Sequence, residues 1–270
     1  MNIKNKVVLI TGASSGIGES LARQLSQKGA LVALLARRIK KLDQIKDEIS
    51  EYNPDVVSIK CDVRNTEEIS KSINDVVNRF GRIDILINNA GQGYFGTIEN
   101  METSYLYQVF ETNIIGPVHF IQAAMPYLRK SKGMIVNISS SLSKRALPFL
   151  SYYAGTKSML DAISEGLRLE SKYYGIKVFT YCPPETNTEF HNSSIKEKGM
   201  EKMGSGRKFK NVDDVAKEII KGIIREKREI VKGKFLKIMN FLYPKFLDGI
   251  FYKYMVLNIL DKQKAQAYEQ

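Results

Sequence analysis

Tyr153 and Lys157 are spaced so that their side chains could act as an acid/base pair. Residues four apart on a helix lie on one face, which would bring the Lys157 ammonium beneath the Tyr153 ring. A tyrosine hydroxyl titrates near ~10, but a nearby cation stabilises the phenolate and lowers its pKa. The pair could therefore transfer a proton near neutral pH, although a surface tyrosine stacked on a lysine stem has the same spacing.

A serine upstream of this pair could complete a catalytic group. Ser140 precedes Tyr153 and follows an apolar run that reads as a strand, with Ser139 and Ser141 as neighbours of the same type. Ligands of open parallel sheets collect at the carboxyl ends of the strands. We therefore expect the Ser140 hydroxyl to hydrogen-bond a substrate carbonyl oxygen.

A glycine-rich turn near the start of the chain has the pattern of a phosphate-binding loop. Glycines allow a tight turn and close backbone approach, and the helix that follows offers free N–H groups to a pyrophosphate. The turn lies between an apolar strand-like run and a helix-like stretch, which is the context that this interpretation requires. The residues predicted to bind a dinucleotide here are Gly12, Ser14, Ser15, Gly16, Ile17 and Gly18.

Basic residues follow the second predicted strand, where an NAD site would have a carboxylate for the ribose hydroxyls. Arg37, Arg38 and Lys41 stand there instead. A guanidinium can bind a 2′-phosphate through two hydrogen bonds, whereas a carboxylate would repel it. A solvated basic helix start would account for Arg38 but leaves Arg37 unexplained. The sequence therefore predicts NADP(H) as cofactor.

Two further strand ends carry candidate cofactor contacts. Asp62 and Val63 follow the third predicted strand, where the carboxylate could accept a hydrogen bond from the adenine amino group. Asn89, Ala90 and Gly91 follow the fourth, where small residues let the backbone pass close to the cofactor. Either group could also be an ordinary turn.

The elements that must hold these residues alternate between strand-like and helix-like stretches. Buried parallel strands are expected from the short apolar runs 7–10, 31–35, 56–59, 85–87, 134–138 and 178–181. Helices are expected at 18–28, 40–52, 66–80, 104–129 and 153–174. This alternation predicts an α/β fold, a doubly wound parallel sheet with helices on both faces.

Composition narrows the class of protein. The chain has 270 residues, of which 43% are hydrophobic and 26% charged, with two cysteines and a formal net charge of +12. The basic residues are dispersed and carry no nucleic-acid motif, so we expect no nucleic-acid partner. Two histidines without a carboxylate cluster predict no metal site. A start that runs directly into a strand predicts no signal peptide and a cytoplasmic protein.

The last third of the chain changes in character. Residues 189–210 are polar, basic and glycine-containing, which suits a mobile lid over a site. We expect residues 1–230 to form one catalytic domain and 231–270 a helical C-terminal extension. Within that extension, residues 235–260 are apolar and basic. This segment could contact a membrane surface peripherally, or form a pocket wall or oligomer interface.

Taken together, these motifs resemble the short-chain dehydrogenase/reductase family over roughly residues 5–190. The resemblance implies a Rossmann-type fold and a homodimer or homotetramer. It also implies a catalytic tetrad of Asn113, Ser140, Tyr153 and Lys157. Tyr153 would be the general acid of reduction and Ser140 would polarise the carbonyl. Lys157 would bind the nicotinamide ribose and lower the Tyr153 pKa, and Asn113 would hold a water that relays protons to Lys157.

The loop after the sixth strand departs from the family pattern. The usual Pro-Gly is replaced by Pro183-Pro184, and a second proline removes a backbone N–H. Thr188 still matches the threonine of the family, and Thr186 takes a position that is usually valine; Pro183, Thr186 and Thr188 are candidate cofactor contacts. This loop, with Arg37 and Lys41, resembles that of 3-ketodihydrosphingosine reductases.

The expected function is the reversible NADPH-dependent reduction of a ketone on a hydrophobic, lipid-like substrate such as a 3-keto sphingoid base. A 3-oxoacyl-thioester reductase and a hydroxysteroid dehydrogenase remain open, since the tetrad would be the same. A non-catalytic NADP-binding scaffold is a more remote alternative. The residues after Thr188 would discriminate between substrates.

Overall fold

The structure is a computed structural model that describes residues 1–201, 209–232 and 244–257. Its centre is a seven-stranded, all-parallel sheet of β1 (Val7–Thr11), β2 (Leu31–Ala36), β3 (Val56–Lys60), β4 (Ile85–Asn88), β6 (Met134–Ile138), β7 (Lys177–Cys182) and β9 (Glu229–Val231). Across the sheet these strands lie in the order β3-β2-β1-β4-β6-β7-β9. A separate parallel pair consists of β5 (Tyr94–Phe95) and β8 (Ile195–Lys196).

Helices connect the strands and cover both faces of the sheet. In chain order they are α1 (Gly16–Gln27), α2 (Ile39–Ser50), α3 (Thr66–Phe80), α4 (Thr103–Phe110), α5 (Gly116–Ser131), α6 (Ser151–Glu170), the short α7 (Phe190–Ser193) and α8 (Val212–Ile224). Short 3-10 turns cover Ser141–Ser143 and Ser171–Tyr174. The predicted doubly wound α/β fold is confirmed.

Alternate residues of each central strand enter two separate cores. In β1, Val8 and Ile10 face the layer formed by α1, α2 and α8, whereas Val7 and Leu9 face the layer that includes α3 and α5. Successive side chains of a strand point to opposite faces. All five residues of β1 are buried, so the run must be apolar on both sides, as the sequence shows.

The chain changes direction in the sheet between β1 and β4. It runs outward from β1 through β2 to β3, then returns to pair β4 on the other side of β1. In open parallel sheets a ligand crevice forms outside the carboxyl ends of the strands at such a point. The predicted strand ends that carry Gly12, Asn89 and Ser140 therefore meet at one edge.

The predicted helix 104–129 differs in one detail. It is interrupted at Glu111–Ile115 by a π-helical turn, which separates α4 from α5. Asn113 lies inside this turn and is fully buried. Both backbone groups of Gln92 hydrogen-bond its side chain. This long-range anchoring accompanies the local change in helix type, and the 3.6-residue pattern of the sequence does not reveal it.

The C-terminal predictions fall partly outside the described residues. Of the predicted lid 189–210, residues 202–208 lie outside, and of the predicted extension 231–270, residues 233–243 and 258–270 do. The described part holds a helix at Pro244–Phe251 and a π-helical turn at Tyr252–Leu257. Phe246, Tyr252 and Tyr254 are exposed there, and membrane contact stays a prediction. None of the described helices is long and apolar enough to cross a membrane.

The packing of α8 on the sheet gives a test of the core. A methyl group added at Gly222 would overlap the ring of Phe179, which is fully buried in β7. Gly222→Ala should lower the free energy of unfolding by about 1–3 kcal/mol, because a packed core yields little to extra volume. The measurement is urea unfolding of both proteins.

Gly155→Ala is the matched control for this substitution. Gly155 is also a helical glycine, but a methyl group there meets nothing within 4 Å. Replacing glycine by alanine in an open helix position should raise stability by about 0.5–1 kcal/mol. Equal effects of the two substitutions would show that α8 does not pack on Phe179 as described.

Candidate active site

A cavity of about 590 Å³ lies at the carboxyl edge of the sheet. Seventeen of the predicted residues line it: Gly12, Ser14, Ser15, Gly16, Ile17, Arg37, Arg38, Asp62, Val63, Asn89, Ala90, Gly91, Ser140, Tyr153, Lys157, Pro183 and Thr186, with Thr188 as an eighteenth. Three other predicted residues, Gly18, Lys41 and Asn113, are not among the lining residues. The structure therefore brings the separate motifs of the sequence into one cleft.

The glycine turn packs directly against the end of β4. Gly12 and Gly16 have φ angles of +66° and +57°, which favour glycine. A Cβ at Gly12 would lie 2.8 Å from the Cα of Ala90. Ser15 is the N-cap of α1, yet its side chain does not cap the helix. The first N–H groups of α1 therefore face the cleft without a side-chain cap, as an anion site requires.

Asn89 and Gly18 support this turn. The Asn89 Nδ2 atom donates to the backbone oxygens of Thr11 and Gly12, at 3.0 and 3.1 Å. A Cβ at Gly18 would lie 2.6 Å from the same Nδ2 atom. The predicted roles of Asn89 and Gly18 as cofactor contacts thus coincide with a structural role, since both keep the turn close to the strand.

The basic residues after β2 divide into two groups. Arg37 lines the cleft. Arg38 and Lys41 form ion pairs with Glu189, a residue of the predicted lid, at 2.7 and 2.8 Å. All three are predicted 2′-phosphate ligands, but the carboxylate between two of them could not be expected from the sequence, because Glu189 lies about 150 residues away in the chain.

Asp62 is engaged by a neighbour that the sequence analysis did not consider. The Arg64 side chain donates to both Asp62 oxygens, at 3.1 and 2.7 Å for the closest contacts. Hydrogen bonds from the Arg64 side chain hold the pKa of the Asp62 carboxyl below its usual range, and the charge of Arg37 adds to this effect. Asp62 keeps its place in the cleft as an ionised acceptor.

Tyr153 lies in the first turn of α6, behind an aromatic neighbour. It is only 7% exposed, and the ring of Phe190 lies 5.5 Å from its own ring. Ser140 is the N-cap of the 3-10 turn and its hydroxyl accepts from the backbone N–H of Leu142, at 3.1 Å. The Ser140 and Tyr153 hydroxyls interact, and this contact works to lower the pKa of Tyr153.

The electrostatics of the Tyr153–Lys157 pair differ from the sequence-based expectation. Burial raises the pKa of Tyr153 to about 12, and the hydrogen bond from Ser140 opposes this rise. Burial also lowers the pKa of Lys157 to about 8. The Lys157 ammonium donates to the backbone oxygen of Ile138, at 3.0 Å. In this conformation desolvation outweighs the predicted stabilisation of the phenolate by the lysine, because both groups are removed from water.

Asn113 is held in place from three directions. Its Oδ1 atom accepts from the backbone N–H of Gln92 at 2.8 Å, and its Nδ2 atom donates to the Gln92 oxygen and the Thr156 hydroxyl at 2.9 and 3.0 Å. A Cβ at Gly91 would lie 3.5 Å from both Asn113 Oδ1 and Lys157 Nζ. Both hydrogens of the Asn113 Nδ2 atom are thus used, and the predicted water-holding role of this residue stays a prediction.

A buried amide chain clamps α6 to the sheet. Asn88 Nδ2 donates to Asn137 Oδ1 at 2.9 Å, and Asn137 Nδ2 donates to the Ser164 hydroxyl at 2.8 Å. The chain links α6, which carries Lys157, to β4 and β6, which are followed by Asn89 and Ser140 respectively. In the sequence, Asn88 and Asn137 served only to identify motifs. Their position at the ends of adjacent strands was the signal that their side chains could hydrogen-bond each other.

A charged cluster supports the turn of Ser140 from behind. Asp161, Cys182 and Glu229 bring ligand-type atoms within 4.8 Å of one another. The Lys144 ammonium lies 2.6 Å from Asp161 Oδ2 and 2.8 Å from Glu229 Oε1. The Ser143 hydroxyl donates to the same Asp161 oxygen at 2.6 Å. Lys144 therefore bridges the two carboxylates, the cluster braces the 3-10 turn, and the absence of a metal site stays a prediction.

The proline loop joins the two halves of the cleft. The backbone oxygen of Pro183 accepts from the N–H of Ser141 at 3.0 Å. The Thr186 hydroxyl donates to the Pro184 oxygen at 2.8 Å. A Cβ at Gly16 would lie 3.0 Å from the Cβ of Thr188, so the loop passes directly over the glycine turn. Although Pro184 stands where the family usually has glycine, the loop contacts both the glycine turn and the turn of Ser140.

The sequence analysis missed the apolar wall beside Tyr153. Phe95, Leu150 and Tyr153 form a small buried cluster, against which Leu142, Leu147 and Phe190 pack. All six line the cleft. The three leucines between Ser140 and Tyr153 were a signal for this wall, whereas Phe95 and Phe190 come from distant segments. The wall makes this end of the cleft hydrophobic.

The arrangement suits a dinucleotide. The uncapped start of α1 fits a pyrophosphate, and Arg37 and Arg38 stand at the far end of the cleft, beyond the glycine turn. The other end holds the Tyr153 and Ser140 hydroxyls beside the apolar wall. An extended anionic ligand can therefore reach from the basic residues to the buried tyrosine.

Comparisons with known proteins agree with this geometry. The family model described as short chain dehydrogenase matches residues 6–199. A protein named 11-beta-hydroxysteroid dehydrogenase A, from Sesamum indicum, is 33% identical over 263 residues, which cover 93% of this chain and 75% of that protein. The chain therefore belongs to the short-chain dehydrogenase/reductase family, and it is an oxidoreductase of the kind that uses a nicotinamide dinucleotide.

Two solved structures illustrate the likeness. An alcohol dehydrogenase from the archaeon Thermococcus sibiricus, complexed with 5-hydroxy-NADP, is 28% identical with a TM-score of 0.75, covering 85% of this chain and 96% of that one. A short-chain dehydrogenase/reductase from Burkholderia phymatum in complex with NAD has a TM-score of 0.84 at 19% identity, covering 92% and 96%. The second likeness concerns the fold alone.

The buried ammonium of Lys157 should cost stability in a pH-dependent way. Its pKa is lowered to about 8 in the folded protein, against about 10.4 in an unfolded chain. Below pH 8 the folded state must bury a charge, so Lys157→Met should raise the free energy of unfolding at pH 7 by about 1–3 kcal/mol. Urea unfolding at several pH values measures this.

The pH dependence of the stability gain distinguishes the removal of a buried charge from a mere change in side-chain packing at position 157. Between pH 8 and 10 the unfolded wild-type chain binds more protons at Lys157, so wild-type stability rises with pH and the gain of the variant shrinks. Lys172→Met, at an exposed position, should show no such trend. A gain that is equal at pH 7 and pH 10 would contradict the assignment.

Proposed function

We propose that this protein is an NADP(H)-dependent reductase that converts a ketone on a hydrophobic substrate to a secondary alcohol, reversibly. The observation that carries the proposal is the buried Tyr153 hydroxyl, in contact with Ser140 and flanked by an apolar wall. A bound nicotinamide cofactor would supply the hydride. The protein would supply the proton, the orientation of the substrate and a site closed to water.

The residues that would hold the cofactor extend across the whole cleft. The start of α1 would bind the pyrophosphate, and Arg37, Arg38 and Lys41 would bind the 2′-phosphate. Lys157 would donate to ribose hydroxyls, and Thr188, which lies against the glycine turn, would contact the nicotinamide end. The Thermococcus sibiricus structure was solved with an NADP derivative and the Burkholderia phymatum one with NAD, so the basic residues of this chain carry the choice of NADP(H).

Tyr153 and Ser140 would handle the carbonyl oxygen. Burial favours the protonated phenol of Tyr153, which is the form that donates a proton in reduction. The Ser140 hydroxyl can donate to the same oxygen and hold it against the phenol. Lys157, with a pKa near 8, can exchange protons with water close to neutral pH and so return a proton to Tyr153.

The apolar wall favours a hydrophobic substrate over a small polar one. Phe95, Leu142, Leu147, Leu150 and Phe190 surround the approach to Tyr153. A long-chain 3-keto lipid, such as a keto sphingoid base, would bury its chain against these side chains. A keto-steroid is a second candidate, because the Sesamum indicum relative is named a hydroxysteroid dehydrogenase. A 3-oxoacyl thioester is the third class to compare.

The catalytic assignment can be tested by removing one oxygen. Tyr153→Phe should lower turnover by about 10²–10⁴-fold, because general acid catalysis is lost while the wall keeps its shape. The affinity for NADPH should change less than about threefold, which separates loss of chemistry from loss of the fold. NADPH oxidation is measured with a long-chain 3-keto sphingoid base, a keto-steroid and a 3-oxoacyl thioester.

Tyr152→Phe is the matched control. The Tyr152 hydroxyl donates to the backbone oxygen of Leu106 at 2.9 Å and is not part of the cleft. This variant should keep its turnover. Full activity of Tyr153→Phe on a substrate that the wild type reduces would refute the assignment, and an equal wild-type rate on a small polar ketone would refute the selection by the apolar wall.

We also propose that the chain forms a homodimer or a dimer-based tetramer through α5 and α6. A groove of about 980 Å³ runs between these helices, lined largely by apolar side chains that include Val118, Ile121, Met125, Met159 and Ile163. Met159 is 43% exposed. An apolar face of this kind on paired helices is suited to self-association across a two-fold axis.

The interface can be tested by placing a charge in the groove. Met159→Asp should lower the oligomeric state, because a carboxylate would be buried without a partner in the contact. Light scattering after gel filtration measures the mass. Leu169→Asp, on the same helix but outside the groove, should leave the mass unchanged. Wild-type protein that elutes as a monomer would refute the proposal.

A further inference from the structure

Glu189 binds the cations that the sequence analysis assigned to a phosphate. Its Oε2 atom accepts from Arg38 Nη1 at 2.7 Å, and its Oε1 atom accepts from Lys41 Nζ at 2.8 Å. One carboxylate therefore joins two basic side chains that belong to the start of α2. All three side chains are roughly half exposed, so ligands can reach them from solvent.

Arg38 is held from its other side by the glycine turn. Its Nε and Nη2 atoms donate to the Ser14 hydroxyl at 3.1 and 3.0 Å, and Nη2 donates to the Ser15 hydroxyl at 2.8 Å. The guanidinium is thus oriented between the turn and Glu189. The edge that carries Nη1, which a phosphate would use, is the edge that Glu189 occupies.

Glu189 belongs to a segment that crosses the cleft. Before it, the Thr188 Cβ lies 3.0 Å from the position of a Cβ at Gly16. After it, the Phe190 ring lies 5.5 Å from the ring of Tyr153. The backbone oxygen of Glu189 accepts from the N–H groups of Asn192 and Ser193 in α7. The backbone that places the Glu189 carboxylate beside the basic residues is therefore held on one side by Thr188 and on the other by Phe190.

The Glu189 carboxylate is charged at any working pH. Hydrogen bonds from Lys41 and Arg38 lower its pKa to about 2. A 2′-phosphate would need the same donors, since carboxylate and phosphate oxygens bind guanidinium and ammonium groups in the same manner. A 2′-phosphate bound by these donors would also repel the Glu189 carboxylate, because both groups are negatively charged and would lie side by side. Both cannot hold Arg38 and Lys41 in one arrangement.

We propose that Glu189 is a specificity-determining residue, an internal competitor for the 2′-phosphate of the cofactor. The Glu189 carboxylate holds Arg38 and Lys41, so a 2′-phosphate must displace this carboxylate before it can bind them. Glu189 thereby weakens the binding of dinucleotides that carry a 2′-phosphate. Dinucleotides with a free 2′-hydroxyl do not need these donors and are unaffected. The inference rests on the proposed use of NADP(H), and it identifies a residue of the lid that limits the preference.

The test compares two probes that differ only in the 2′-phosphate. Isothermal titration calorimetry gives the dissociation constants of 2′,5′-ADP and 5′-AMP for the full-length wild type and for Glu189→Gln. The substitution keeps the shape of the side chain and removes its charge. Exposed ion pairs are each worth up to about 1 kcal/mol, so the variant should bind 2′,5′-ADP about three- to tenfold more tightly. Its affinity for 5′-AMP should stay within about twofold.

Glu201→Gln is the control for removal of a negative charge from the same region. Glu201 accepts from the backbone N–H of Gly199 at 2.9 Å and contacts neither Arg38 nor Lys41. It should leave both dissociation constants unchanged. In the Arg38→Gln background, the gain from Glu189→Gln should shrink, because one of the contested donors is then absent.

The outcomes separate the inference from the proposed function. A wild type that prefers 2′,5′-ADP, together with a Glu189→Gln variant that binds it no more tightly, would overturn the competition and leave the NADP(H) proposal intact. A wild type that prefers 5′-AMP would overturn the cofactor proposal, and if its Glu189→Gln variant binds 2′,5′-ADP no more tightly, the inference falls with it. A variant that loses affinity for both probes would show that Glu189 builds the adenosine site, which also contradicts competition.

Discussion

The ammonium of Lys157 lies in the interior of the protein, with the backbone oxygen of Ile138 as its hydrogen-bond acceptor. Holding a charge there is costly, and the pKa lowered to about 8 reflects that cost. The rest of the site is arranged around this burial. The Ser139 hydroxyl donates to the Lys157 backbone oxygen, and the Asn137–Ser164 hydrogen bond holds α6 against β6. The two apolar cores of the sheet contribute folding free energy that offsets the cost of burying this charge.

A second constraint is the loop after β7, which touches four parts of the cleft. Pro183 binds the turn of Ser140, Thr188 lies over the glycine turn, and Phe190 packs beside Tyr153. Glu189 reaches the basic residues from the same segment. Cofactor and substrate preferences are therefore physically connected, since a shift of this backbone would move the donors for a phosphate and the apolar wall together.

Sequence reasoning succeeded where local pattern determines structure. Strands buried on both faces are mostly apolar, so the six principal strands could be read from runs such as that of β1. It failed where distant segments meet. The π-helical turn at Asn113 accompanies contacts with Gln92, and the pairing of β5 with β8 joins segments a hundred residues apart. The predicted lowering of the Tyr153 pKa also failed in this conformation, because burial is a property of the whole fold.

The class of fold, the family and the positions of the motifs follow from the amino-acid sequence, because strand periodicity, the glycine turn and the Tyr153–Lys157 spacing are local properties. The pairing of charged groups and the desolvation of side chains follow from the three-dimensional arrangement of the chain. The sequence shows that Arg38 and Lys41 are basic, but only the structure shows that their partner is Glu189, which comes from the far side of the cleft. Electrostatic interactions depend on distance in space and on burial, and neither is encoded in the spacing of residues along the chain.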